Sequence, residues 1–274
     1  MPSIKQLVKN PPTSYFPTDK QFVFICGLHR SGTSALHKLL AAQPAFSGFE
    51  DTGFPEDEGQ FAQSVFKTDN HYGGPGRFGF NEDARLTEKS VLYKPINRRK
   101  LKQEWGQYWD LSKSILVEKS PSNLLRMRFL QAVFPNAKFI IITRHPIAVS
   151  YATQKWSKTP TNQLLRHWLA AHRSMQEDLS SIRNYVLLSY EELVSQPTRV
   201  LLILSNFLGK DIKYNNELGD YNQKYFDRWH QLAESTTGKW QKRLATAELS
   251  KQFTKFGYSL TNLELYPALI RIEK

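Results

Sequence analysis

The stretch Phe22-Val-Phe-Ile-Cys26, running on through Gly27-Leu-His-Arg-Ser-Gly-Thr-Ser34 to Leu40, decides the fold. Its first five residues are an unbroken apolar run, as expected of a strand buried on both faces of a parallel sheet. Leu36, Leu39 and Leu40 then recur at helical spacing from Thr33 to about Gln43, and Pro44 stops the pattern. Strand, glycine-bracketed loop and helix, in that order, are the context of a phosphate cradle. Gly27 and Gly32 allow positive φ and close approach to a ligand. Free N–H groups at the helix start, with the helix dipole, favour an anion. Ser31, Thr33 and Ser34 add hydroxyl donors, and Arg30 adds a forked cation suited to phosphate or sulfate oxygens.

Outward from this loop the pattern alternates between strands and helices. Ile115–Val117 is a short strand leading into Glu118-Lys-Ser-Pro121, and a helix is expected from about Ser122 to Phe134. Lys138–Thr143 is a second buried strand, ended by Arg144-His-Pro146. A helix is expected over about Leu164–Ile182 and a strand over Val186–Leu188. The pattern from Tyr190 to Leu208 reads as a helix broken near Pro197 and closed by Gly209. The span from about Tyr221 to Phe256 is mostly helical. This order gives an α/β fold with a mainly parallel central sheet flanked by helices. Residues 48–99, rich in Gly, Pro, Asp and Asn, read as a loop-rich insertion, with Gly73–Gly79 as an acceptor-side lid. Met1–Lys20 reads as an irregular arm, not a signal peptide. No linker divides the chain, so residues 1–274 are expected to form one domain.

Composition bounds the function. Apolar residues make up 40% of the 274, so the chain is globular. Lysine plus arginine total 37 against 25 acidic residues, and the net charge of +12 points to an anionic partner without naming it. The lone Cys26 excludes an internal disulfide framework and any multi-cysteine zinc site. It is compatible with a reducing compartment, and with no apolar run near the roughly 18 residues that span a bilayer, a cytoplasmic protein is expected.

A nucleotide triphosphatase loop would carry lysine where Thr33 stands, and would pair with an aspartate on a neighbouring strand to hold magnesium. Here the second strand ends in Thr143-Arg144, a cation suited to a second phosphate. A P-loop nucleotide kinase and a non-catalytic polyanion or nucleic-acid binder are therefore the weaker alternatives. No zinc-finger, RNA-recognition or helix-turn-helix signature supports the latter, and no nucleic acid is expected as partner.

At these residues the chain resembles a known family. Phe22–Gln43 is similar to the 5′-phosphosulfate loop of sulfotransferases that use 3′-phosphoadenosine-5′-phosphosulfate (PAPS). The Arg30-Ser-Gly-Thr33 form is more like the carbohydrate and tyrosyl-protein branches than the lysine-type branch. Phe134–Pro146 resembles the family's strand-arginine segment. Ser189–Pro197 with Asn206–Gly209 resembles its Y-E-x-L segment, and Thr237–Lys242 its late basic-aromatic segment. The resemblance implies a P-loop-containing fold, PAPS as co-substrate, 3′-phosphoadenosine-5′-phosphate (PAP) as product, no metal, and an acceptor that is a carbohydrate, a peptide or a metabolite.

Roles follow from the same resemblance. Arg30, with Ser31, Gly32, Thr33 and Ser34, would hold the phosphosulfate. Lys119 would stabilise the leaving group, and Arg144 would bind the 3′-phosphate. The family's partner hydroxyl falls at Ala152, so Ser150 or Thr153 would substitute. Glu50 is the expected base for the acceptor proton, with Asp51, Glu56, Glu58, His29 and His71 as runners-up. Trp240 and Lys242 would cover the nucleotide.

Overall fold

Alternation along each strand sorts the buried side chains into two halves. Phe22, Phe24 and Cys26 enter one core cluster, whereas Val23 and Ile25 enter the other. Phe139 and Ile141 face the first, Ile140 and Ile142 the second. This period of two, with apolar residues on both faces, is why the strands read as continuous apolar runs. The computed structural model describes residues 17, 19–214, 218–232, 236–268 and 271–273.

The strands are β1 (Gln21–Cys26), β2 (Phe46–Ser47), β3 (Ile115–Lys119), β4 (Lys138–Thr143), β5 (Tyr185–Ser189) and β6 (Arg271–Glu273). The sheet order is β2-β3-β1-β4-β5-β6; the first five strands pair in parallel, and β6 adds an antiparallel edge. The helices are α1 (Thr33–Ala41), α2 (Pro95–Gly106), α3 (Met127–Val133), α4 (Pro146–Ser157), α5 (Thr161–Leu179), α6 (Tyr190–Ser195), α7 (Pro197–Leu208), α8 (Gln223–Gln231) and α9 (Thr236–Phe253). Leu36 and Leu40 of α1 join Leu204 and Phe207 of α7 on one face of the sheet. Trp105, Phe134, Tyr151 and Trp168 cover the other. The mainly parallel sheet flanked by helices agrees with the expected fold class. The chain leaves β1 towards β3 and β2 and returns on the other side as β4. The β1/β4 boundary is therefore the switch point at which open α/β sheets bind ligands.

Three expectations need correction. The strand expected at Ile115–Val117 runs on to Lys119, so Lys119 is its last residue. The helix expected over 122–134 divides into a 3-10 turn, Pro121–Leu125, and α3. It divides because local side-chain bonds compete with helical ones: Asn123 Nδ2 donates to Glu118, and Arg126 Nη1 donates to Ser122 Oγ. The expected lid at 73–79 is packed structure. Phe78 is fully buried, Gly79 N donates to His167 Nε2 at 3.0 Å, and a Cβ on Gly76 would lie 2.3 Å from Leu164. The rest of the insertion is a series of short 3-10 turns, ending in α2. Most of the arm, residues 1–16 and 18, lies outside the described residues. Among the described residues no helix is long and apolar enough to cross a membrane.

Candidate functional site

The loop after β1 is shaped by its two glycines. A Cβ on Gly27 would lie 2.5 Å from the Ile142 carbonyl oxygen, so only glycine lets β1 leave the sheet this close to β4. Gly32 has φ of 99° and caps α1, and a Cβ there would lie 2.8 Å from the Tyr190 ring. Arg30 also takes a left-handed backbone, with φ of 69°. Its guanidinium lies 4.7 Å from the ring centre of Trp156, a half-exposed residue near the end of α4. Ser31 is fully buried, and its Oγ has no hydrogen-bond partner among the described residues.

A cavity of about 300 Å³ opens beside this loop, lined by Arg30, Thr33, Ser34, Arg144, Tyr190 and Tyr221 among others. Arg144 is only 5% exposed. Its Nη1 donates to the Arg30 carbonyl and its Nε to Asn222 Oδ1, both at 2.8 Å. The guanidinium lies 4.1 Å from the ring centre of Tyr190. Burial pulls its pKa below the usual arginine value, and nearby Tyr190 and Glu191 oppose that shift. Nη2 is buried and has no hydrogen-bond partner among the described residues. A buried guanidinium nitrogen beside a phosphate-type loop retains the capacity to donate a charge-assisted hydrogen bond. Asn222 in turn donates to Glu191 Oε1, which also accepts from His145 N.

The other flank of the loop carries Lys119. Strand register puts Lys119 opposite Ile25, so it leaves the sheet at the same edge as the loop. Lys119 is 1% exposed; its Nζ donates to Glu58 Oε1 and to the Glu56 carbonyl, both at 3.0 Å. Asp51, Glu56 and Asp57 all have φ near 50°, and Thr52 N and Oγ1 tie this turn to Asp57 Oδ1. His37 lies nearby, its pKa lowered to about 4 by burial and by the Lys119 charge, so it is neutral at pH 7. Glu118 is wholly buried and accepts from Gly59 N, Ser120 Oγ and Asn123 Nδ2. Burial pushes its pKa up to about 7. It anchors the turn that presents Glu58 to Lys119.

The structure places the remaining expected residues as follows. Glu50 is exposed, three residues beyond β2, at the same sheet edge as Lys119. Ser150 is buried, with no hydrogen-bond partner for its Oγ among the described residues. Together with Thr153, His29 and His167 it lines a pit behind the loop, separate from the cavity that Arg144 lines. His29 Nε2 contacts Asp69 at 2.9 Å, and exposed His71 contacts Lys67. Lys242 does not line the cavity: its Nζ lies on the Trp229 ring and donates to the Trp229 carbonyl at 3.3 Å. The Trp240 side chain lies outside the described residues. Asn222, Trp156 and Glu58's pairing with Lys119 were not foreseen. The turn chemistry of Gly219-Asp-Tyr-Asn222 is the one local signal that marks Asn222. Among the described residues no group of three or more His, Cys, Asp or Glu side chains is arranged to hold a metal ion.

Comparison with known proteins gives a family. The model described as "Sulfotransferase family" matches residues 22–214. No curated protein sequence matches the chain. Among solved structures, the chain is similar to the sulfotransferase domain from the curacin biosynthetic pathway, with 22% identity over 73% of this chain and 79% of that one and a TM-score of 0.46. It is similar to sulfotransferase STF1 from Mycobacterium tuberculosis H37Rv, with 16% identity over 75% and 70% and a TM-score of 0.49. A mouse sulfotransferase complexed with PAP shares 14% identity over 81% and 69%, with a TM-score of 0.41.

Proposed function

The chain belongs to the sulfotransferase family and is an enzyme of sulfuryl transfer; from that premise we propose that its donor is PAPS and its acceptor a hydroxyl or amine. The observation that carries the donor is the buried Nη2 of Arg144, beside the loop cavity and unpartnered among the described residues. Two anionic positions fit there. The loop N–H groups, Arg30 and the Thr33 and Ser34 hydroxyls that line the cavity suit the 5′-phosphosulfate, and Arg144 suits the 3′-phosphate.

The order of groups along the sheet edge supports the assignment. Glu50 follows β2, Lys119 ends β3, the loop follows β1, Arg144 follows β4, and Tyr190 follows β5. The nucleoside occupies the Tyr190 side and the reacting sulfur the Lys119 side. The acceptor oxygen or nitrogen forms a bond to sulfur as the bond from sulfur to the phosphate oxygen breaks. Arg30 and Lys119 neutralise the charge that grows on the leaving PAP, and Glu50 receives the acceptor proton. Product release leaves PAP in the cavity.

Labelled sulfuryl transfer from PAPS across carbohydrate, peptide and small hydroxylated acceptors tests this reading. Transfer to at least one class is expected. Absence of both transfer and any calorimetric signal with PAP would overturn it. Glu50→Gln is expected to cut kcat by about 10²–10⁴-fold while changing PAP affinity by less than about threefold. Wild-type kcat in that variant would exclude Glu50 as the base.

A further inference from the structure

Resting on the PAPS reading above, we infer that Lys224 is the second cation of the 3′-phosphate site and sets the preference for nucleotides that carry that phosphate. A phosphate monoester bears about −1.5 to −2 charges near pH 7. Arg144 supplies one positive charge, and one of its nitrogens is still unpartnered among the described residues. Lys242 is engaged with Trp229. Arg228, on α8, is engaged with Gln154 and the Tyr151 ring.

Lys224, one turn earlier on α8, is likewise outside the residues that line the cavity, but among the described residues its ammonium forms no hydrogen bond or ion pair. Its Nζ lies 4.8 Å from the ring centre of Tyr221, which lines the cavity. It also lies 5.1 Å from the ring centre of Tyr225. The Arg144 guanidinium lies 5.7 Å from that same Tyr225 ring, so the two cations share one aromatic spacer. Among the described residues no carboxylate forms an ion pair with Lys224. The nearby Asp220 accepts from Asn222 N through its Oδ1. Asn222 precedes the first residue of α8 and fixes Arg144 Nε, so the N-terminal dipole of this helix adds to the same positive field. Lys224 is exposed and flexible, so it can close on a phosphate that Arg144 already holds from within.

Calorimetry with PAP and with 5′-AMP, which lacks the 3′-phosphate, tests the inference on the full chain. Lys224→Ala is expected to weaken PAP about tenfold and to leave 5′-AMP within about twofold. Lys224→Arg, which keeps the charge, is expected to restore PAP to within about threefold of wild type. An unchanged PAP affinity in Lys224→Ala, or an equal loss for both nucleotides, would overturn it. Wild-type protein that binds PAP and 5′-AMP alike would overturn this inference while leaving a nucleotide site standing. Wild-type protein that binds neither would overturn the PAPS reading as well.

Discussion

Arg144→Ala is expected to weaken PAP binding by about 100-fold or more, measured by calorimetry. The guanidinium lies almost wholly out of water, and its two filled nitrogens lock it to Arg30 and Asn222. A charge-assisted hydrogen bond in such a place contributes about 1.5–3 kcal/mol, and a doubly charged phosphate takes more than one. A loss of roughly 3 kcal/mol corresponds to more than a hundredfold in Kd. Arg144→Lys keeps the charge but cannot hold Arg30 and Asn222 while also reaching a ligand, so it should recover only part of the loss. The same variants should lose much less affinity for 5′-AMP. If Arg144→Ala bound PAP as wild type does, the 3′-phosphate would have to sit elsewhere.

Lys119→Met is expected to slow turnover by about 10²–10³-fold, the effect of removing one preorganised donor from a developing oxyanion. PAP affinity should change by less than about threefold, because the ground-state nucleotide is held chiefly by the loop and Arg144. A second consequence separates the chemistry from the packing. Lys119 and Glu58 are both buried and 3.0 Å apart, so the single change leaves a carboxylate in the interior with Gln60 Nε2 as a remaining donor. Breaking a buried pair from one side costs about 3–5 kcal/mol, and a clear fall in Tm should follow. Adding Glu58→Gln removes the stranded charge. The double variant should regain most of the lost Tm while turnover stays low. Wild-type turnover in the double variant would show that Lys119 supports the fold and not the reaction.

Much of the fold was readable because its signals are local. The runs at 22–26 and 139–142 are apolar at every position, since both faces of those strands are covered. Pro197 and Gly209 mark the break and the end of the α6–α7 segment because each acts through its own backbone. The insertion was harder. Gly73–Gly79 has a loop composition, yet Phe78 and Gly76 seat it against α5, and nothing within seven residues reveals a partner near residue 164. The two-residue strand β2 carries too few positions to show a period, so its place beside β3 could not be read either.

The site divides along the same line. The loop 27–34, Lys119 and Arg144 each sit at the end of a strand that the sequence marks. Parallel pairing alone therefore brings them to one edge of the sheet, and the sequence by itself determined that edge and its positive charge. Tertiary structure decided what each group faces. Glu58 meets Lys119 across 61 positions of chain, and Asn222 meets Arg144 across 78. It also turned Lys242 to Trp229, put Trp156 beneath Arg30 and brought Lys224 to the aromatic wall beside Arg144. Strand and turn signals arise from neighbours a few residues apart. Pairing of buried charges arises from whichever distant segments the closed core brings together, and no local period records it.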